Sequence, residues 1–152
     1  MSTHKAQMQW RRETPDFTYE TYSRDHDVTT GSGVNIPASA APEYKGSATR
    51  QNPEEALVGA LSSCHFLTFL AVAAKRGFTV DSYRDAAEGV LEKNAEGRLA
   101  ITRVTLSPTV AFSGAKVPTV QELEALHARA HEGCFIANSV KAAVTVVPQP
   151  LG

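Results

Sequence analysis

The sequence predicts an α+β fold in which antiparallel sheets surround one long, buried central helix. Three observations carry the prediction. Residues 53–75 have helix signals at both ends and apolar residues around most of the circumference between them. Strand-like runs fall in blocks on either side of that stretch. The blocks do not alternate regularly with helices, as a doubly wound parallel sheet would require. The order read along the chain is β-β-β-α-β-β-α-β, in a single domain spanning residues 1–152.

The first third reads as strands and loops. Residues 7–10 and 17–22 have aromatic and alternating character, with Thr14-Pro15-Asp16 as a turn between them. Residues 28–36 form a weaker third strand, interrupted by Gly31 and Gly33. Residues 37–52 turn to Ala, Ser, Pro, Gly and Thr and read as a long loop.

The central helix is the clearest element. Asn52 is a cap, Pro53 suits the first helical position, and Glu55 stands three residues after the cap. Glu54 and Glu55 favour the positive end of the helix dipole, and Lys75, Arg76 and Gly77 close the far end. Leu57, Leu61, Phe66, Leu67, Phe69, Leu70 and Val72 cover most of its surface, which predicts a helix surrounded by protein.

Residues 79–93 then read as a long strand broken at Gly89, and residues 98–112 as a second one bent at Pro108. The turn Asn94-Ala95-Glu96-Gly97 joins them as an antiparallel hairpin. Thr119 caps the next helix, Glu122 completes a capping box, and Gly133 ends it. Residues 134–138 could add a helical turn, and residues 140–147 a terminal strand.

Composition excludes several classes. Fifteen basic residues face 16 acidic ones, for a formal net charge of -1, so there is no basic footprint for nucleic acid or a membrane surface. Two cysteines are too few for a disulfide-stapled scaffold. The opening Met-Ser-Thr-His-Lys has no apolar region of a signal peptide, so the expected compartment is the cytoplasm. Residues 56–74 lack any charge and approach the length of a membrane span. They also hold Ser62, Ser63, His65 and Thr68, and no second apolar span accompanies them, which favours a buried helix of a soluble domain.

The candidate chemistry is sulfur chemistry. Cys64 lies about three turns into the central helix, in Ser62-Ser63-Cys64-His65, and Cys134 lies 70 positions on, directly after Gly133. Free cysteine is a common core residue, so packing alone could account for either. A thiol opening a helical turn feels the positive dipole end, however, and should ionise more readily, which singles out Cys134. His127, His131 and Cys134 at i, i+4 and i+7 would share a helix face and suit zinc, but Gly133 should break that helix and no Cys-x-x-Cys accompanies them. No metal or cofactor is therefore expected. There is no phosphate-binding glycine loop, nucleophile elbow or carboxylate pair at a telling spacing.

Asn52-Pro53-Glu54-Glu55-Ala56-Leu57, running on to Leu61-Ser62-Ser63-Cys64-His65, resembles the central helix of the OsmC/Ohr family of osmotically induced and organic hydroperoxide resistance proteins. Ala130-His131-Glu132-Gly133-Cys134-Phe135-Ile136-Ala137-Asn138-Ser139 resembles that family's second-cysteine segment. Cys134 is followed by Phe135, where the hydroperoxide-resistance branch more often has proline, so the chain is more similar to an OsmC-like branch.

The resemblance implies an OsmC-like fold, an intertwined homodimer and a thiol peroxidase acting on organic hydroperoxides. It makes Cys64 the peroxidatic thiol and Cys134 the resolving thiol. The family glutamate falls on Glu54. The family arginine falls on Arg24 in Ser23-Arg24-Asp25-His26, with Arg11, Arg12 and Arg50 as competitors. It also implies a dithiol reductant, such as a lipoyl protein. The chemistry is coherent: a thiolate attacks a peroxide oxygen and a second thiol traps the sulfenic acid as a disulfide. An arginine favours the thiolate, and a carboxylate orients the arginine. Phe66, Phe69 and Phe135 would wall an alkyl substrate or simply serve the core. The alternative function is a non-catalytic or redox-sensing protein of the same fold. Glu54 and Cys64 are ten residues apart on one helix, roughly 15 Å along its axis, so Glu54 should reach Cys64 from a partner subunit.

Overall fold

The computed structural model describes residues 1–150. The chain divides into two compact units, Met1–Ala56 and Leu57–Gly152.

The first unit carries a three-stranded antiparallel sheet, β1 (Ala6–Gln9), β2 (His26–Thr30) and β3 (Asn35–Ala38), in that spatial order. The expected single strand over 28–36 is instead a hairpin, and the two glycines form its turn. Gly33 adopts φ +86, which an L side chain resists, and Thr30 and Val34 close the turn by a backbone hydrogen bond of 2.9 Å. Residues 17–22 do not form a strand. The Thr21 and Tyr22 amides both donate to the Thr18 carbonyl at 3.1 Å, and the Thr18 and Thr21 hydroxyls bond each other at 2.9 Å. Local hydroxyl bonding thus outcompetes the strand ladder that the aromatic residues suggested. The loop after β3 is tightly folded. A Cβ on Gly46 would sit 1.6 Å from the Ala40 carbonyl oxygen, so only glycine fits there, and buried Ser39 accepts the Ser47 amide at 3.0 Å.

Helix α1 (Pro53–Lys75) begins with the expected capping box. The Glu55 amide donates to Asn52 Oδ1 at 2.8 Å, and Glu55 Oε2 accepts the Asn52 amide at 3.2 Å. At the other end Gly77, at φ +78, lets the Phe78 amide reach back to the Ala73 carbonyl. The wholly buried stripe of α1 is Leu61, His65, Phe69 and Ala73. Its opposite stripe of Ala60, Ser63, Leu67, Ala71 and Ala74 is exposed, so in a single chain the helix is covered on one side only.

The two long strands each divide in two. β4 (Thr79–Asp85) and β7 (Pro108–Ser113) form one antiparallel pair, while β5 (Glu88–Lys93) and β6 (Leu99–Leu106) pair in a second sheet. The division falls at Asp85 and Ser107 rather than at Gly89. The Asp85 carboxylate accepts the Ser107 amide at 2.6 Å and the Ser62 hydroxyl at 2.5 Å, and Pro108 has no amide to continue the ladder. Gly89 serves close packing, because a Cβ there would lie 2.5 Å from Val58 Cγ2. β8 (Ala143–Val146) joins β6 in parallel, a departure from the expected antiparallel pairing. Before it, α2 (Val120–Glu132) has the Thr119–Glu122 capping box in full and stops at Gly133. Two apolar clusters bind α1 to the sheets. One contains Phe69, Ala73, Phe78, Val110, Leu126 and Ala130; the other contains Leu61, Val104 and Leu106. Each large side chain fully buried there contributes about 2 kcal/mol.

Candidate thiol site

Two elements of the second unit carry the thiols. Cys64 sits on the third turn of α1 and is half-buried. Cys134 follows the last turn of α2 and is 1% exposed. Both are free, and Cys64 is a near enough neighbour to raise the Cys134 thiol's pKa. The fold thus joins two sulfurs 70 positions apart in sequence. Gly133 permits the approach, since even a Cβ there would come within 3.1 Å of Thr68 Cγ2. Thr68 in turn donates to the Cys64 carbonyl at 2.9 Å, the usual resting place of a helical threonine hydroxyl.

Cys134 opens a short turn that ends in the 3-10 segment Ala137–Ser139, and its sulfur accepts the Ala137 amide at 3.4 Å. The amides of Ala137 and Ile136 pull its pKa down, as expected of a turn start. Burial outweighs them and pushes the thiol up, and the neighbouring Cys64 adds to the rise. The expectation that Cys134 ionises easily is therefore reversed by desolvation. Cys134 is a sheltered, protonated thiol, and Cys64 is the one with a face toward solvent.

The zinc face that His127, His131 and Cys134 would share on an unbroken helix does not assemble. The helix ends at Glu132, and His127 turns its Nδ1 to His65 Nε2 at 3.0 Å. Among the described residues no three His, Cys, Asp or Glu side chains converge as metal ligands. Sequence reasoning missed this histidine pair. Its signal was the spacing of His65 by four residues from Leu61 and Phe69, which sets a polar ring into the most buried line of α1.

Arg24 and Glu54 lie in the first unit. Arg24 donates to the carbonyls of Tyr22 and Tyr19, both at 2.5 Å, and its guanidinium stacks 3.7 Å from the centre of the Tyr22 ring. It borders an apolar groove of about 520 Å³ with Met8, Trp10 and Phe17. Of its competitors, Arg50 is engaged with Asp25 at 3.3 Å, and Arg12 donates to the Pro15 carbonyl. Arg11 borders a separate polar pocket. Among the described residues neither Arg24 nor Glu54 takes part in an ion pair. Glu54 occupies the first turn of α1, and the helix runs unbroken through Gly59, so helix geometry separates it from Cys64 by roughly 15 Å. The three phenylalanines part company: Phe69 is core, Phe66 packs on Tyr83 with ring centres 5.0 Å apart, and Phe135 is 78% exposed.

The sequence profile of the OsmC-like proteins matches residues 46–148. An OsmC-like protein of unknown function from Vibrio cholerae is 45% identical, with a TM-score of 0.95 over 98% of this chain and 100% of that one. An organic hydroperoxide resistance protein from Legionella pneumophila shares the fold at 20% identity and a TM-score of 0.69, over 100% of this chain and 98% of that one. The organic hydroperoxide resistance protein OhrB of Bacillus subtilis does so at 19% identity and a TM-score of 0.67, over 98% of each. No curated protein sequence is significantly similar.

Proposed function

Because the chain belongs to the OsmC-like family, we propose that it is a cysteine-based peroxidase that reduces organic hydroperoxides to alcohols. The observation that supports the reading is the pairing of a partly exposed cysteine with a buried one that neighbours it closely enough to feel its charge. Cys64, as thiolate, attacks the distal oxygen of ROOH. The O–O bond breaks, the departing alkoxide takes up a proton to leave as ROH, and Cys64 becomes a sulfenic acid. Cys134 then attacks that sulfur, the S–S bond forms, and water departs. A dithiol such as a lipoyl protein reduces the disulfide, so one peroxide consumes one dithiol.

The roles follow from access. Cys64 is partly exposed and open to a peroxide, whereas Cys134 is 1% exposed and closed to one. Resolution needs only that the second thiol be adjacent, and the influence of Cys64 on the Cys134 thiol supports that. Arg24 stabilises the thiolate and the developing alkoxide, and Glu54 orients it through a bidentate pair. Both act from the partner subunit of a homodimer, a reading supported by the straight run of α1 between Glu54 and Cys64. The exposed stripe around Leu67 supports the dimer, because an uncovered apolar helix face is ordinarily buried by a partner. The reaction is assigned to the cytoplasm.

One equivalent of an alkyl hydroperoxide added to the reduced protein tests this. The expected product is a single intramolecular Cys64–Cys134 disulfide with release of one equivalent of alcohol. Unreacted thiols, or Cys64 oxidised further with Cys134 still free, would defeat the proposal.

A further inference from the structure

The centre of the buried stripe on α1 is a polar ring. His65 is wholly buried, and His127 on α2 is 3% exposed. His65 Nε2 and His127 Nδ1 are 3.0 Å apart, the rings are 8° from parallel, and His127 also stacks on Phe69 with centres 4.4 Å apart. Burial holds both pKa values down to about 4, so both rings are neutral near pH 7. A neutral imidazole has one N–H and one acceptor nitrogen, so one proton lies in the bond between the rings. The outer nitrogens, His65 Nδ1 and His127 Nε2, have no partner. An apolar pair would bury similar area without leaving two polar atoms unsatisfied, so the pair lowers stability relative to leucine. What it adds is direction.

The position of the pair gives that direction a use. His65 follows Cys64 directly, and His127 stands seven residues before Cys134, joined to it by the last turns of α2 and by Gly133. A second close contact, Gly133 against Thr68, lies one turn further along α1. Two contacts a turn apart fix both the slide and the swivel of α2 on α1. Apolar packing at Leu126 and Ala130 alone tolerates small shifts, whereas a 3.0 Å hydrogen bond between rings does not.

We propose that the His65–His127 hydrogen bond is a register clamp that holds the Cys64 and Cys134 sulfurs within bonding reach, making the two histidines positioning residues for disulfide formation. The clamp rests on the proposed roles of the thiols, but it concerns their geometry rather than the oxidant.

The test therefore uses no peroxide. Reduced protein is equilibrated with glutathione and its disulfide. Two protein thiols lose two electrons and two protons to one glutathione disulfide, giving the protein disulfide and two glutathiones. In His127→Phe, which keeps the stacking but not the bond, and in the double variant H65L/H127L, the disulfide equilibrium constant is expected to fall about tenfold, or about 30 mV. His65→Gln, whose amide nitrogen can stand in for Nε2, is expected to return it toward the wild-type value. A purely structural role would lower the melting temperature of His127→Phe without changing the thiol equilibrium of the folded protein.

Wild-type protein supplies the second measurement. Reciprocity requires that if the clamp favours the disulfide, the disulfide favours the clamp. The second imidazole titration, which leaves neither ring an acceptor and so breaks the bond, should therefore move about one pH unit lower in the disulfide form when followed by NMR. The groups that act on the pair are His131 and Asp85 on His65, with Phe69 covering His127. An equilibrium constant within twofold of wild type in either folded lesion variant, or identical titrations in the two redox forms, overturns the clamp. Failure of the peroxidase reading would instead appear as inertness toward peroxide with these thiol equilibria intact.

Discussion

The two units of the chain solve the burial problem differently. Residues 57–152 hold Leu61, Phe69, Val104, Leu106 and Leu126 without exposure, and the thiol pair sits among them. In residues 1–56 the buried side chains among the described residues are only Ala38, Ser39 and Ala41. The large apolar residues of this unit remain on its surface: Met8 is 61% exposed, Phe17 63% and Tyr19 61%. They are nonetheless ordered against one another, with Phe17 and Tyr22 ring centres 5.0 Å apart and Trp10 and Phe17 centres 6.0 Å apart. A small sheet cannot close a core by itself. The second unit therefore has a closed core beside the reactive pair and leaves one face of α1 uncovered, whereas the first leaves most of its large apolar side chains uncovered. That contrast is what the proposed homodimer explains.

The sharpest break of the contrast is at the thiols. Cys64→Ser should abolish peroxide consumption altogether, whereas Cys134→Ser should complete one turnover and then stall with Cys64 as sulfenic acid. Single-turnover assays read both. A normal first turnover in Cys64→Ser would exchange the two roles.

Shared catalysis gives the next largest effect. Glu54→Ala and Cys64→Ser chains should each be nearly inactive alone. Refolded together, they should regain about a quarter of wild-type activity, since half the dimers are mixed and each has one intact site. Mixed dimers without recovered activity would place Glu54 outside the site. The dimer itself is probed at Leu67, at the middle of the exposed stripe of α1 and 61% exposed in the single chain. Leu67→Asp should weaken association at least roughly 100-fold by burying an unpaired charge. Sedimentation that finds a wild-type monomer at micromolar concentration would remove the basis of the comparison.

How much of this was legible in the sequence depends on the range of the interaction. Asn52, Glu55, Thr119 and Glu122 act within one turn, and both capping boxes form as read. The two thiol segments were recognisable because their residues are contiguous. The division of the long strands was not, because it depends on Asp85 meeting Ser62 and Ser107 more than twenty positions away. The rise in the Cys134 pKa was equally hidden. Turn amides are local and visible in sequence, whereas the burial that overrides them is contributed by the tertiary fold. The histidine pair lay between these cases: each ring was visible, but their partnership across 62 positions was not.

The smallest effect tests whether the core of the second unit has a pH weakness. His65 and His127 are held down to about 4 in the folded chain, chiefly by burial, against 6.5 for an ordinary histidine. Above pH 6.5 the rings are neutral whether folded or unfolded, and the shift has no effect on stability. As pH falls from 6.5 toward 4, the unfolded chain binds protons that the folded chain refuses, so unfolding becomes easier. Below about 4 the folded form titrates too and this contribution levels off. The lost stability is on the order of 3 kcal/mol per ring, and a proton on one ring opposes the second, so the pair should lose less than twice that amount. Urea unfolding at stepped pH should therefore show stability declining across this window in the wild type. The H65L/H127L variant should lose most of that decline, because leucine has nothing to titrate. An equal decline in both proteins would assign the acid sensitivity to other groups and show that the buried rings are already protonated in the folded state.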